Sequence, residues 1–130
     1  MKKMKAYFLL VLIASMTFLS CEKDKDDNNN NTSRVIKYEV SGNYTGSLIA
    51  SYTTASGGTT NETMPALPWS KEVTYASNVT AAILAVTGNG GVAGQKVTVI
   101  VKKGGSQISS TVMTAETSGS FSKPTPTVTF

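Results

Sequence analysis

Residues 97–112 read VTVIVKKGGSQISSTV, and this stretch decides the fold class. Val97, Val99 and Val101 recur at every second position, the period of a β-strand with one buried face. Lys103-Gly-Gly-Ser106 follows directly, and a Gly-Gly pair between two such runs is a strong signal for a two-residue hairpin turn. The segment beyond the turn returns as a second strand. This stretch therefore predicts an antiparallel β-hairpin.

The same period of two continues outward from this hairpin along the chain. The apolar runs are Ile36-Tyr38-Val40, Leu48-Ala50-Tyr52, Trp69-Lys71-Val73-Tyr75 and Val79-Ala81-Ile83-Ala85. The last run also has apolar residues at the positions between, which predicts a central strand covered on both faces. Residues 59–64 and 127–130 are expected to form short edge strands, since Pro124 and Pro126 limit the second of them. No helical stripe stands out in this part of the chain.

About seven short strands separated by glycine-rich turns predict an all-β fold for residues 34–130. The favoured architecture is an immunoglobulin-like two-sheet β-sandwich, and a small closed barrel is the alternative. The expected core includes Ile36, Trp69, Ile83 and Val99. The chain has one cysteine, so no internal disulfide supports this core, and its stability depends on apolar burial.

Residues 1–20 are predicted to be a lipoprotein signal peptide. Lys2, Lys3 and Lys5 form a basic start, and the apolar run that follows is too short for a membrane-spanning helix. A small residue, Ser20, directly precedes Cys21, which resembles the lipobox of bacterial lipoproteins. An ordinary signal peptide with a chance cysteine is the alternative. Cys21 is therefore the predicted lipidation site, and it would hold the protein on the membrane.

Residues 21–33 comprise this cysteine and a predicted flexible tether. Its sequence after the cysteine, EKDKDDNNNNTS, contains no apolar residue and cannot join a core. The early Lys/Asp cluster resembles the surface-export signal of some Gram-negative lipoproteins, and a solvated spacer is the alternative. These features predict a cell-envelope protein, lipid-anchored in the outer membrane and exposed at the surface if the export signal is real.

Three stretches of the body resemble the MmpS family, small membrane-anchored proteins that accompany lipid- and siderophore-exporting transporters. Val35–Gly42 is similar to the family's opening strand with its YEV-x-G ending, and Leu48–Thr53 to its second strand. Leu67-Pro-Trp-Ser-Lys71 matches the family's LPWSK element, the most specific of the three. The resemblance implies a non-enzymatic accessory or scaffold for envelope transport, with a transporter or another envelope protein as partner.

Two departures from the family qualify that expectation. Family members have a transmembrane helix where this chain has a lipobox, which changes the membrane or leaflet that the domain would face. Many members also carry a late cysteine pair, and Val99 occupies the strand where one of those cysteines would be expected. Because a fold-level likeness does not transfer function by itself, the second hypothesis is a surface module or adhesin that recognises a glycan or a protein.

The residue inventory argues against catalysis, cofactors and nucleic acid. The chain has no histidine, so it can form neither a Ser/His/Asp arrangement nor a histidine zinc site. Loss of three leader lysines would leave the 12 Lys+Arg and 8 Asp+Glu nearly balanced, without the basic patch that nucleic acid requires. If the domain has a binding surface, it is expected at Tyr44 and the loop with Gly90 and Gly91. Trp69 is expected in the core, with a ligand platform as the alternative.

Overall fold

The computed structural model describes residues 33–130, which form β-strands and no helix. The strands are β1 Val35–Gly42, β2 Ser47–Thr53, β3 Thr59–Met64, β4 Trp69–Thr74, β5 Ala81–Ala82, β6 Leu84–Asn89, β7 Lys96–Lys103, β8 Ser106–Thr114, β9 Phe121–Pro124 and β10 Val128–Thr129. The predicted signal peptide, the lipidation site Cys21 and all of the predicted tether except Ser33 lie outside the described residues.

Two four-stranded antiparallel sheets form a β-sandwich, as the sequence predicts. The strand order is β4-β1-β7-β8 in the first sheet, here called sheet A, and β3-β2-β6-β9 in the second, called sheet B. The short strands β5 and β10 form a two-stranded pair of their own. The all-β, two-sheet prediction is therefore confirmed.

The core lies between the inner faces of sheets A and B. Every second residue of β1 and β7 is directed into it, and Tyr38, Val97, Val99 and Val101 have no exposed surface. Sheet B contributes Leu84 and Val86, which also have no exposed surface. Each large apolar side chain buried in this way favours folding by roughly 1.5–3 kcal/mol before the entropic cost of ordering it.

The predicted hairpin connects β7 to β8. Gly104 and Gly105 have φ of +60° and +90°, the left-handed region that both central residues of a type I′ turn require. The pairing of Lys103 with Ser106 closes the turn. A shift of register between Val101 and Lys102 marks a β-bulge in the same hairpin. The glycine pair thus provides the geometry that was predicted from it.

Ile83 corrects the predicted core. It is 36% exposed, whereas its neighbours Ala82 and Leu84 are buried, so the opposite set of alternating residues faces inward. The strand predicted through this segment is divided at Ile83 into β5 and β6. Backbone hydrogen bonding continues across the break, because the Thr53 N–H donates to the Ile83 carbonyl. In a segment with apolar residues at every position, the sequence does not reveal which set faces the core.

Trp69 and the C-terminal segment also differ in detail from the expectation. Trp69 packs against the core but remains partly exposed, since it opens β4 at the edge of sheet A. The chain after residue 120 forms β9 as well as β10, and with the division at Ile83 this raises the described strands above the predicted seven. The predicted edge strand at residues 59–64 is present as β3, at the edge of sheet B.

Candidate functional site

Two of the motif stretches singled out in the sequence are neighbours in sheet A. Strand β1 ends in the YEV-x-G stretch, and β4 begins within the LPWSK stretch. The two strands pair antiparallel, with Glu39 opposite Ser70 and Val40 opposite Trp69. A surface cavity of about 380 Å³ lies at this junction, and it is lined by Glu39, Val40, Ser41, Pro68, Trp69, Ser70 and Ile100. We call it the β1–β4 cavity.

The lining of the β1–β4 cavity is mixed in character. Pro68, Trp69 and Ile100 supply apolar surface, while Ser41 and Ser70 supply hydroxyl groups. A site of this composition suits an apolar side chain with polar groups beside it.

Glu39 is the charged group of the β1–β4 cavity. Its two carboxylate oxygens accept from Lys102 at 3.1 Å and from Lys37 at 3.2 Å. The hydrogen bond from Lys102, followed by that from Lys37, lowers the pKa of the Glu39 carboxyl below its ordinary value. Glu39 is therefore ionised at neutral pH and holds no proton to donate as a general acid. Glu39 thus places one anion in the cavity wall, and its two lysine partners lie outside the lining.

A second carboxylate lies where the edge strands β3 and β4 approach each other. Glu62 accepts from the Tyr52 hydroxyl at 2.8 Å and forms an ion pair with Lys71 at 3.2 Å. The hydrogen bond from Tyr52, followed by that from Lys71, lowers the pKa of the Glu62 carboxyl. These contacts link sheet B to sheet A. The role of Glu62 is therefore structural, since it helps to close this side of the sandwich.

Tyr44 was predicted to be part of a binding surface, but its side chain is only 7% exposed. Its hydroxyl donates to the Gly119 carbonyl at 2.7 Å and accepts from the Gly91 N–H at 3.2 Å. Its ring meets the Phe121 ring edge-on at 5.1 Å. Tyr44 thus connects the loops that contain Gly91 and Gly119 from a buried position, and it offers no ring face to a ligand.

Gly90 and Gly91 differ from each other within that loop. A Cβ at Gly91 would collide with the Tyr44 ring, so this glycine permits the close approach of the tyrosine. Gly90 has φ of +78° and open space around it. Of the three predicted surface residues, only Gly90 is exposed, and it brings no side-chain chemistry.

The opposite end of the sandwich is where the described chain begins. Arg34 donates to the carbonyls of Val79 at 2.8 Å, Ala76 at 3.0 Å and Ser77 at 3.1 Å. Its guanidinium also lies 4.8 Å from the centre of the Phe130 ring, a cation–π distance. The chain is therefore held firmly in the domain from Arg34 onward.

Sequence reasoning did not identify the β1–β4 cavity or its charged group. Glu39 lies on the outer face of β1, but nothing in the local sequence indicates that Lys102 lies beside it. The sequence did contain one signal, the two motif stretches, which strand pairing brings together in the fold. Neither motif alone indicates a cavity.

Residues 33–130 contain no helix long and apolar enough to cross a membrane. They also contain no group of three or more acidic, histidine or cysteine side chains placed to hold a metal ion. Comparison of the chain with protein-family models and with curated proteins gave no match.

Proposed function

We propose that the protein is a non-enzymatic bacterial lipoprotein, acylated on Cys21 and anchored in the outer membrane. Its β-sandwich domain is an MmpS-like accessory or scaffold of an envelope transport system. The β1–β4 cavity is the contact site for a protein component of that system. The proposal combines the lipobox-like sequence with the arrangement of the two ends of the domain.

The observation that carries the proposal is that the β1–β4 cavity and the start of the described chain lie towards opposite ends of β1. Arg34 precedes β1, whereas residues 39–41 of the cavity come near its end. An extended strand covers about 20 Å between Arg34 and Val40, at roughly 3.3 Å per residue. In a domain tethered at its first residue, the cavity would therefore lie on the end of β1 that is farther from the anchor.

The second support is the origin of the lining residues. Six of the seven come from the two stretches that resemble the MmpS family, and Ile100 is the exception. A site that includes residues of the most specific stretch, LPWSK, is the natural place for a shared binding role. The mixed apolar and hydroxyl lining suits a protein segment with one apolar side chain.

The anchor is tested by metabolic labelling with palmitate. We expect the wild-type chain to be labelled and to fractionate with membranes, and the Cys21→Ser variant to be unlabelled and released. A single thiol is exchanged for a hydroxyl, and the described domain is untouched. An unlabelled wild type, or a Cys21→Ser variant that stays in the membrane fraction, would contradict the anchor.

The partner is tested by photo-crosslinking from the β1–β4 cavity. A photoreactive residue at Ser70 is compared with one at Thr63, which is exposed on β3 of the other sheet. We expect capture of a transporter component from Ser70 and none from Thr63. Equal capture from both positions, or recovery of no transport protein, would count against the accessory role.

A surface module that recognises a neutral glycan is the second candidate, and the outer face of sheet B favours it. That face presents hydroxyl and amide groups, with Ser51 bonded to Asn61 at 2.6 Å and Thr87 to Ser122 at 3.0 Å. Glycan binding that is lost on changing Ser51 and Thr87 to Val, and retained with a Ser70 variant, would favour this candidate over the first.

A further inference from the structure

Glu39 and Glu62 are bonded by different kinds of donor. Glu62 accepts from one ammonium group, that of Lys71 at 3.2 Å, and from the Tyr52 hydroxyl at 2.8 Å. The Lys71 ammonium also lies 5.9 Å from the centre of the Tyr52 ring, a cation–π distance. Carboxylate, ammonium and phenol therefore form one closed group, in which a tyrosine of this chain bonds to a surface Glu–Lys pair.

Glu39 is bonded by two lysines and by no tyrosine of the described chain. Lys102 donates to one carboxylate oxygen and Lys37 to the other. An ionised carboxylate has about four acceptor sites on its two oxygens, so each oxygen of Glu39 can accept one more hydrogen bond. The tyrosine hydroxyls of residues 33–130 all bond elsewhere, namely those of Tyr38, Tyr44, Tyr52 and Tyr75. A further donor to Glu39 must therefore come from water or from another molecule.

Strand pairing places Glu39 between an apolar side chain and a polar one. On the outer face of sheet A, its neighbours are Ile100 on β7 and Ser70 on β4. Ser41 lies on the same face two residues further along β1, and Pro68 lines the cavity just before β4 begins. An aromatic ring over the two serines would therefore lie between Pro68 and Ile100, with Glu39 at its edge.

The β1–β4 cavity also offers unused hydroxyl groups. Within residues 33–130, neither the Ser41 nor the Ser70 hydroxyl has a hydrogen-bond partner, and both serines are exposed. They can bond to the backbone of a segment that crosses the cavity. The volume of about 380 Å³ has room for one aromatic side chain together with the backbone that carries it.

Charge and shape restrict the side chain that fits. Glu39 with Lys37 and Lys102 has a net charge of +1 (two lysines, one glutamate), so an arginine or lysine of a partner would add a third cation. An acidic side chain would lie beside Glu39, which is in the lining while both lysines are outside it. Phenylalanine has the apolar ring but no donor. Tyrosine has the ring and a neutral donor at its far end.

We propose that the β1–β4 cavity binds a tyrosine side chain of the partner protein, with the phenol hydroxyl donating to Glu39 and the ring between Pro68 and Ile100. This inference rests on the proposed function, which assigns the cavity to a protein partner. Glu39 then has the same kinds of neighbour as Glu62, ammonium and phenol. Tyrosine is also enriched among the residues that contribute most to protein–protein binding, because it combines a large ring with one hydrogen-bonding group.

Amino-acid amides test this preference without the partner. The full chain in lipid nanodiscs is titrated with N-acetyl-tyrosinamide and, separately, with N-acetyl-phenylalaninamide, which lacks only the hydroxyl. The readout is the NMR shift of the backbone N–H groups of Ser41 and Ser70 and of the indole N–H of Trp69, the single tryptophan of the chain. We expect saturable shifts, with the tyrosine amide bound roughly fivefold or more tightly than the phenylalanine amide, as one hydrogen bond to a carboxylate predicts.

A pair of matched variants tests the role of Glu39. Glu39→Leu removes the acceptor and keeps a side chain of similar size, so the preference for the tyrosine amide should disappear. Glu72→Leu is the control, because Glu72 is opposite Lys37 in sheet A but outside the cavity lining, and it should keep the preference. The comparison of the amides on the wild type does not depend on how either variant folds.

Three results would overturn the inference. These are no saturable shift with the tyrosine amide, tighter binding of the phenylalanine amide or of the corresponding tryptophan or arginine amide, and an unchanged preference in Glu39→Leu. The proposed function fails separately. A transport protein captured from Ser70, without the tyrosine preference, overturns this inference alone. A clear tyrosine preference without capture of a transport protein overturns the accessory role alone.

Discussion

In sheet A, neighbouring residues of the same strand lie on opposite faces, and the two faces make different kinds of contact. On β1 and β7 the inner face presents Tyr38, opposite Val101 and fully buried, while the outer face presents Glu39 opposite Ile100. The inner residues exclude water and make contacts that hold the fold. The outer residues form ion pairs and line a cavity. A shift of one residue along a strand therefore separates the buried contacts that stabilise the fold from the surface ion pairs and the cavity.

The largest expected effect compares Val99→Asp with Ile100→Asp. Val99 is fully buried, and an unpaired charge there costs at least several kcal/mol, comparable to the whole stability of a small domain. We expect Val99→Asp to leave the chain unfolded, as judged by loss of cooperative melting. Ile100→Asp on the outer face should fold. A soluble, cooperatively melting Val99→Asp protein would refute the assignment of the inner face.

A smaller effect is expected from the buried tyrosine hydroxyls. Tyr75 donates to the Thr53 carbonyl at 2.8 Å, so the 3.2 Å contact with Tyr38 leaves Tyr38 as the donor. Tyr38→Phe should lower the free energy of unfolding by about 0.5–1.5 kcal/mol, since no buried partner loses its only bond. Tyr75→Phe leaves the Tyr38 hydroxyl without an acceptor and should cost more, about 1–3 kcal/mol. Denaturant unfolding of both variants measures the difference, and the reverse order would refute this donor assignment.

Alkaline pH should lower the stability of the fold through the buried tyrosines of the inner face. Burial, followed by the hydrogen bond to Tyr75, raises the pKa of Tyr38 far above its ordinary value, and burial also raises the pKa of Tyr75. A raised folded-state pKa gives stability that is complete below the unfolded-state value near 10 and is lost as pH rises above it.

Melting temperature against pH measures this loss, with tyrosinate absorbance as the second readout. We expect the melting temperature to fall above about pH 10, and to fall less in Tyr38→Phe, which has one fewer such group. A variant as sensitive to alkali as the wild type would show that Tyr38 is not a main source of the effect.

The smallest effect on stability is expected at the outer face. Glu39 is paired with two partly exposed lysines, and such surface pairs are screened by water and salt. Glu39→Gln should leave the melting temperature unchanged within error at moderate salt. The same change should reduce crosslinking from Ser70, because it alters the charge of the β1–β4 cavity. A large drop in melting temperature would instead give Glu39 a structural role.

Local sequence predicted much of the fold, because strand period and turn chemistry are local properties. The burial of Val97, Val99 and Val101 and the glycine turn after β7 were both predictable. The face of the segment around Ile83 was not, since apolar residues at consecutive positions fit either orientation. The burial of Tyr44 was also not predictable. It depends on Gly91 and Gly119, which lie far away along the chain.

The sequence by itself determined most of the strands, the hairpin and the class of fold, because side-chain alternation and glycine conformation act within a few residues. Only the tertiary structure decided that Glu39 meets Lys102, that Glu62 meets Lys71, and that two separate motifs line one cavity. Those contacts depend on which strands pair and in what register. Pairing is set by burial of the whole inner surface, so no short stretch of sequence can specify it.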